Sequence, residues 1–258
     1  MNLESNEEKT LEILIEFYYE KILKPIDYID EASVLTIQIA EYSINNLKAI
    51  NLLIKSKLYS QALALVRVLS EGTILLSESV KNINLFESYV KKETKQQAAV
   101  IKDRQRAFQK GLVKFTGQDS NRLNKLLNEI KKAGPSEPIC IDTIADSNGM
   151  DFIYENVYKF CSSSIHLCPH TLSKLQKEYL GEPKAIELLK YPLSDYKFFT
   201  IFLATICTLA IFEIMNDKFI LHLRAKITKL YEQYVNNLIA KNEVKDEKLF
   251  KIFKFKVN

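Results

Sequence analysis

Glycine and proline are scarce in this chain, six of each in 258 residues. Sandwiches and barrels of β-strands need a turn every few residues, so the scarcity argues for long helices joined by few loops. It also leaves little room for a glycine-rich phosphate cradle, and neither HExxH nor Gly-x-Ser-x-Gly occurs. The four cysteines, Cys140, Cys161, Cys168 and Cys207, form no paired CxxC and no framework spacing. Free thiols in a reducing, cytoplasmic setting are therefore expected. The opening Met1-Asn2-Leu3-Glu4-Ser5 lacks the basic and then apolar stretch of a signal peptide. The longest uncharged apolar run, Phe198 to Phe212, would reach roughly 22 Å as a helix, short of the ~30 Å of a hydrocarbon core. No membrane span is expected, and the run reads as the central helix of a bundle.

What is present has helical spacing. Ser5-Asn6-Glu7-Glu8 is a capping-box pattern, followed by Leu11, Leu14, Ile15, Tyr18 and Ile22 before Pro25. The spacing predicts further helices over 30–54 and 60–80, the latter apolar nearly all round and so interior. Another is expected from Leu85 to Phe108, with only a thin stripe of Phe86, Val90, Ile101 and Phe108. Residues 134–149 read as one long loop, followed by helices from Asp151, over 171–180, from Pro183 and from Ser194. The last helix carries Ile220, Leu223, Ile227, Leu230, Tyr234 and Leu238 on one face, and a Lys/Phe tail follows at 248–257.

Charge is segregated. Between positions 91 and 132 twelve Lys and Arg face four acids, a net +8, so the remainder of the chain carries −4. Lys91, Lys95, Lys102, Arg106 and Lys110 align on one helical face and are candidate phosphate contacts. A solvated helix face in a lysine-rich chain is the plainer reading.

Two polar groupings interrupt apolar stretches. Arg67 and Glu71 stand one turn apart inside the most apolar helix, where charges must be paired or carry a large cost. They either form an internal ion pair that fixes register or position a ligand or catalytic group. The segment from Tyr158 to His170 holds Ser162, Ser163, Ser164 and His166. His166 reads as a general acid or base, or as a core histidine satisfied by hydroxyls. A zinc set of Cys161, His166, Cys168 and His170 would have a spacing unlike structural-zinc motifs, so neither a metal nor a cofactor is expected.

The helix Leu65-Val66-Arg67-Val68-Leu69-Ser70-Glu71, with a later helix ending Tyr158 … Ser163-Ser164-Ile165-His166, resembles an uncharacterised bacterial helical family, domain of unknown function family 5677. The resemblance covers most of Asp30 to Phe212. It implies that Arg67, Glu71, Ser163 and His166 converge, and it carries no activity. More loosely the chain is similar to the HEPN superfamily, many of whose members are metal-independent ribonucleases of toxin and anti-phage systems. Their arginine four to six residues before a histidine is missing here, so Arg67 would have to supply its charge from another helix.

The expected fold is all-α, a single multi-helix bundle over 1–258 with 85–132 as a protruding basic helical hairpin. The expected function is a bacterial stress or anti-phage effector that binds RNA and cleaves it without metal. Arg67, Glu71, Ser163 and His166 would be catalytic. The alternative is a non-enzymatic interaction protein, in which Arg67, Glu71 and His166 form a structural network and the arm binds a partner protein or a second copy.

Overall fold

Apolar residues three and four apart, on a backbone with few glycines or prolines to interrupt it, make a chain of helices. The structure is a computed structural model and describes residues 7–27, 30–82, 84–133, 140–165 and 193–240. In order the elements are α1 (Glu7–Phe17), a π-helical turn (Tyr18–Leu23), α2 (Glu31–Lys55), α3 (Tyr59–Lys81), α4 (Leu85–Gln109) and α5 (Gly117–Ala133). They continue with α6 (Ile141–Asn148), α7 (Asp151–Ile153), a second π-helical turn (Tyr154–Tyr158), α8 (Lys159–Ile165), α9 (Leu193–Phe219) and α10 (Arg224–Ala240). Every regular element among the described residues is helical, and the protein is all-α. It divides into two compact units, Lys81–Cys140 and the remainder.

In the larger unit α9 lies at the centre of the core. Phe212 is fully buried and stacks on Phe17 of α1, with ring centroids 5.2 Å apart. The stretch Lys197–Phe219 is long and apolar enough to cross a membrane by length and composition, but 72% of its most apolar window is buried inside the protein. The buried Thr208 hydroxyl is satisfied within the helix, donating to the Ala204 carbonyl at 2.7 Å. Where α3 presses on α2 the residue is Gly72, and a Cβ there would collide with the buried Ser43 hydroxyl. That close approach accounts for a glycine in mid-helix, where it otherwise costs about 1 kcal/mol relative to alanine.

Helix ends follow local chemistry. The Asp30 carboxylate accepts the Ser33 N–H at 2.6 Å and starts α2. The segment read as a loop over 134–149 is helical from Ile141, because Ile141, Ile144 and Ala145, three and four apart, share a face and pack on the core. Gly149, at φ +70°, ends α6 with a Schellman pair: Met150 N–H to Ala145 O and Gly149 N–H to Asp146 O. The expected helices over 171–180 and from Pro183, the Ser5 cap and the 248–257 tail lie outside the described residues.

Ile220 departs from expectation. It was placed by spacing on the apolar face of the last helix, yet α9 stops at Phe219 and α10 starts only at Arg224. Asn216 closes this turn: its carbonyl accepts the Leu221 N–H, and its side chain accepts the Leu223 N–H at 2.7 Å. Ile220 is left 71% exposed at φ +52°, a conformation a β-branched residue adopts only under strain. Ile220→Gly is expected to stabilise the protein by about 0.5–1 kcal/mol, net of the added unfolded-state entropy. Thermal melting should rise by roughly 1–4 °C, and a fall would show that the turn is not held this way.

The smaller unit is a helical hairpin. Ala98 and Ile101 of α4 pack against Leu123 and Leu126 of α5, with Phe115, Leu127 and Ile130 at the margin. Of the thin α4 stripe, Ile101 is buried and Phe108 is 48% exposed, while the Phe86 and Val90 side chains lie outside the described residues. Thr116 and Asp119 cap α5 reciprocally, with Thr116 N–H to the carboxylate at 2.8 Å and Asp119 N–H to the Thr116 hydroxyl at 3.3 Å. These bonds hold the Asp119 carboxyl below its ordinary range, aided by Arg104.

Candidate functional site

Along α3 the residues Arg67, Glu71, Ile74 and Glu78 recur at four-, three- and four-residue intervals and form one stripe. Asn148 of α6 donates to the Glu78 carboxylate at 2.8 Å. Three helical turns back, the Arg67 Nε donates to the Ser162 hydroxyl at 2.9 Å, and its Nη2 donates to the Tyr158 hydroxyl at 2.9 Å. The segment from α6 to α8 therefore runs back along α3 and is tied to it at both ends.

The second π-helical turn shapes this contact. Tyr154 and Tyr158 sit at its two ends and stack with centroids 5.4 Å apart and planes 17° from parallel. The Arg67 guanidinium carbon lies 4.9 Å from the Tyr158 centroid, and the Lys159 ammonium lies 5.0 Å from that of Tyr154. Two cations thus contact a stacked tyrosine pair, each such contact contributing about 0.5–2 kcal/mol according to its exposure.

Among the described residues no ion pair joins Arg67 to Glu71, although both are half-buried on the same face. The register-fixing ion pair expected from their spacing gives way to bonds across to Tyr158 of the second π-helical turn and Ser162 of α8, whose hydroxyls stand opposite the guanidinium. Its two acceptors are neutral hydroxyls, and no carboxylate among the described residues pairs with it. Tyr158 and Ser162 accept from it and each retain a proton to donate. An oriented guanidinium flanked by two hydroxyl donors is chemistry suited to an oxyanion.

Of the four residues expected to be catalytic, the structure describes the side chains of Arg67 and Glu71. Ser163 lies on α8 with its side chain outside the described residues, and His166 lies outside them altogether. Ser162 and Tyr158 were not selected from the sequence. Their signal was a shared i, i+4 face with Tyr154, readable only once the partner helix is known.

Behind the hydroxyls, Cys161 of α8 and Cys207 of α9 are buried free thiols. Burial pushes the Cys161 thiol up to about 12 against the pull of the Arg67 charge, and raises Cys207 as well. Because only the thiolate is nucleophilic, alkylation at about pH 8 should label exposed Cys140 at least about a hundredfold faster than Cys161 or Cys207. Peptide mapping after a timed pulse reads this directly. Cys161 labelling at the rate of Cys140 would mean that α8 does not pack as described.

In the hairpin Lys95, Lys102, Arg106 and Lys110 are exposed and Lys91 is half-buried. At ~100° per residue all five fall within about 100° of arc. Arg106 pairs with Asp103 at 3.1 Å across an exposed i, i+3 step, a contact that contributes little.

A model of a family of unknown function (DUF5677) matches residues 34–182, which take in Arg67, the hairpin and Ser162. No curated protein and no solved structure matches the chain.

Proposed function

Since the chain belongs to the family of unknown function DUF5677, whose name assigns no chemistry, we propose from its own residues that it is an RNA-binding effector. The observation that carries this reading is the hairpin: a net +8 over 91–132, with cations on the exposed face of α4. Such a surface neutralises a phosphate backbone and releases its counterions. Arg67, oriented by Tyr158 and Ser162, supplies a second anion-binding element suited to a single phosphodiester. The reading extends to metal-free cleavage, with Arg67 stabilising charge on the phosphate and His166, four residues after Ser162 in sequence, moving the proton.

One observation favours a second reading, that of an interaction protein. The Arg67 bonds tie α3 to α8 as a purely structural network would. Labelled single-stranded RNA, incubated with the full chain in the presence of a chelator, separates the two. The effector reading expects salt-sensitive binding, and cleavage that His166→Ala abolishes at unchanged melting temperature. An absence of salt-sensitive binding overturns it. Binding without cleavage removes the catalytic extension alone.

A further inference from the structure

The hairpin unit exposes more apolar surface than an RNA-binding face requires. Phe108, Leu112 and Val113 are 48%, 73% and 43% exposed, and they lie within six residues at the turn between α4 and α5. This turn is not a fraying end. Gly111, at φ +72°, terminates α4 in a Schellman motif, with Leu112 N–H bonded to Ala107 O at 3.0 Å and Gly111 N–H to Phe108 O at 2.8 Å. Leu112 occupies the position whose apolar side chain ordinarily folds back on its helix, yet here it faces solvent. Across the turn the start of α5 is fixed by the Thr116–Asp119 cap, and Arg104 bonds the Lys114 carbonyl at 3.2 Å. The apolar side chains are thus presented on ordered backbone.

Their surroundings are basic. From 102 to 122 six cations, Lys102, Arg104, Arg106, Lys110, Lys114 and Arg122, face two carboxylates. Both carboxylates are engaged: Asp103 pairs with Arg106, and Asp119 binds Thr116 and Arg104. Nucleic acid would use the cations and the Phe108 ring, but it has no use for Leu112 or Val113. An anionic bilayer uses all of them. Apolar side chains enter the boundary between headgroups and acyl chains while Lys and Arg lie against the lipid phosphates.

We propose that the α4–α5 turn docks on an anionic lipid surface, inserting Phe108, Leu112 and Val113 with Arg106, Lys110 and Lys114 at the headgroup level. The proposal goes beyond the RNA reading and does not rest on it. The test is co-sedimentation of the full chain with phosphatidylcholine vesicles, with and without about a third phosphatidylserine. At least about tenfold tighter binding to the anionic vesicles is expected, weakening as salt rises. The Leu112→Ser/Val113→Ser double variant, which leaves the charge of the hairpin unchanged, should lose about tenfold or more of that binding, with its RNA affinity and melting temperature preserved. Binding that is absent from the anionic vesicles, equal on both vesicle types, or unaffected by the double variant overturns the proposal. Preferential capture of polyglutamate over anionic vesicles, abolished by the same substitutions, overturns it in favour of an acidic protein partner.

Discussion

Arg67→Ala is expected to cost about 2–4 kcal/mol of stability. It removes two hydrogen bonds to a charged donor and a contact with the Tyr158 ring, leaving two half-buried hydroxyls short of a partner. For a chain of this size that is roughly 5–12 °C in melting temperature. Arg67→Lys should recover little, because an ammonium cannot reproduce the two fixed donor directions of a guanidinium. Tyr158→Phe and Ser162→Ala should each cost about 1–1.5 kcal/mol. Combined with Arg67→Ala, either should show a coupling of about 1 kcal/mol, because the partners share one interaction. Denaturant melts of the four single variants and the two double variants measure this. A cost below about 0.5 kcal/mol for Arg67→Ala would mean that the tie between α3 and α8 contributes nothing in solution.

Reversing Lys95, Lys102 and Arg106 to glutamate takes the net charge of 91–132 from +8 to +2. RNA affinity at about 0.1 M salt should fall at least about a hundredfold, and the dependence of log affinity on log salt should flatten by about two units. Melting temperature should hardly move. These side chains are exposed, and the only ion pair with a described partner that the change removes, Arg106 to Asp103, lies on the surface. Fluorescence anisotropy with a single-stranded RNA across a salt series reads both quantities. Affinity that survives the triple reversal would take the RNA surface away from α4.

The helical class was legible because it rests on local chemistry: few glycines and prolines, and apolar spacing such as Leu223, Ile227, Leu230 and Tyr234, all buried as read. The start of α2 was legible for the same reason, since a capping aspartate acts within its own turn. Helix α6 was masked by the polar, proline-containing residues before it, although Ile141, Ile144, Ala145 and Gly149 carried its pattern. The bonds of Arg67 were not legible. The spacing to Glu71 suggested a local pair, whereas the hydroxyls that meet Arg67 lie 95 and 91 residues away and reach it only through packing. Neither π-helical turn left a residue signature. Each is a short i→i+5 departure from the α-helical pattern.

The second of those turns has a consequence for how the chain tolerates changes in length. A π-helical turn holds one residue more than the α-helical turn it replaces, so it acts as a phase shift between α7 and α8. Relaxed to an unbroken α-helix with all five residues kept, Tyr154–Tyr158 would rotate everything after it by about 100°, whereas deleting one of the five would remove the extra residue and leave α8 on its face. In the first case Ser162 would leave Arg67, and Cys161 would turn from the core toward solvent. The phase that this turn sets therefore fixes which serine of the Ser162-Ser163-Ser164 run the arginine meets, and a loss of one residue is absorbed here better than elsewhere in the segment.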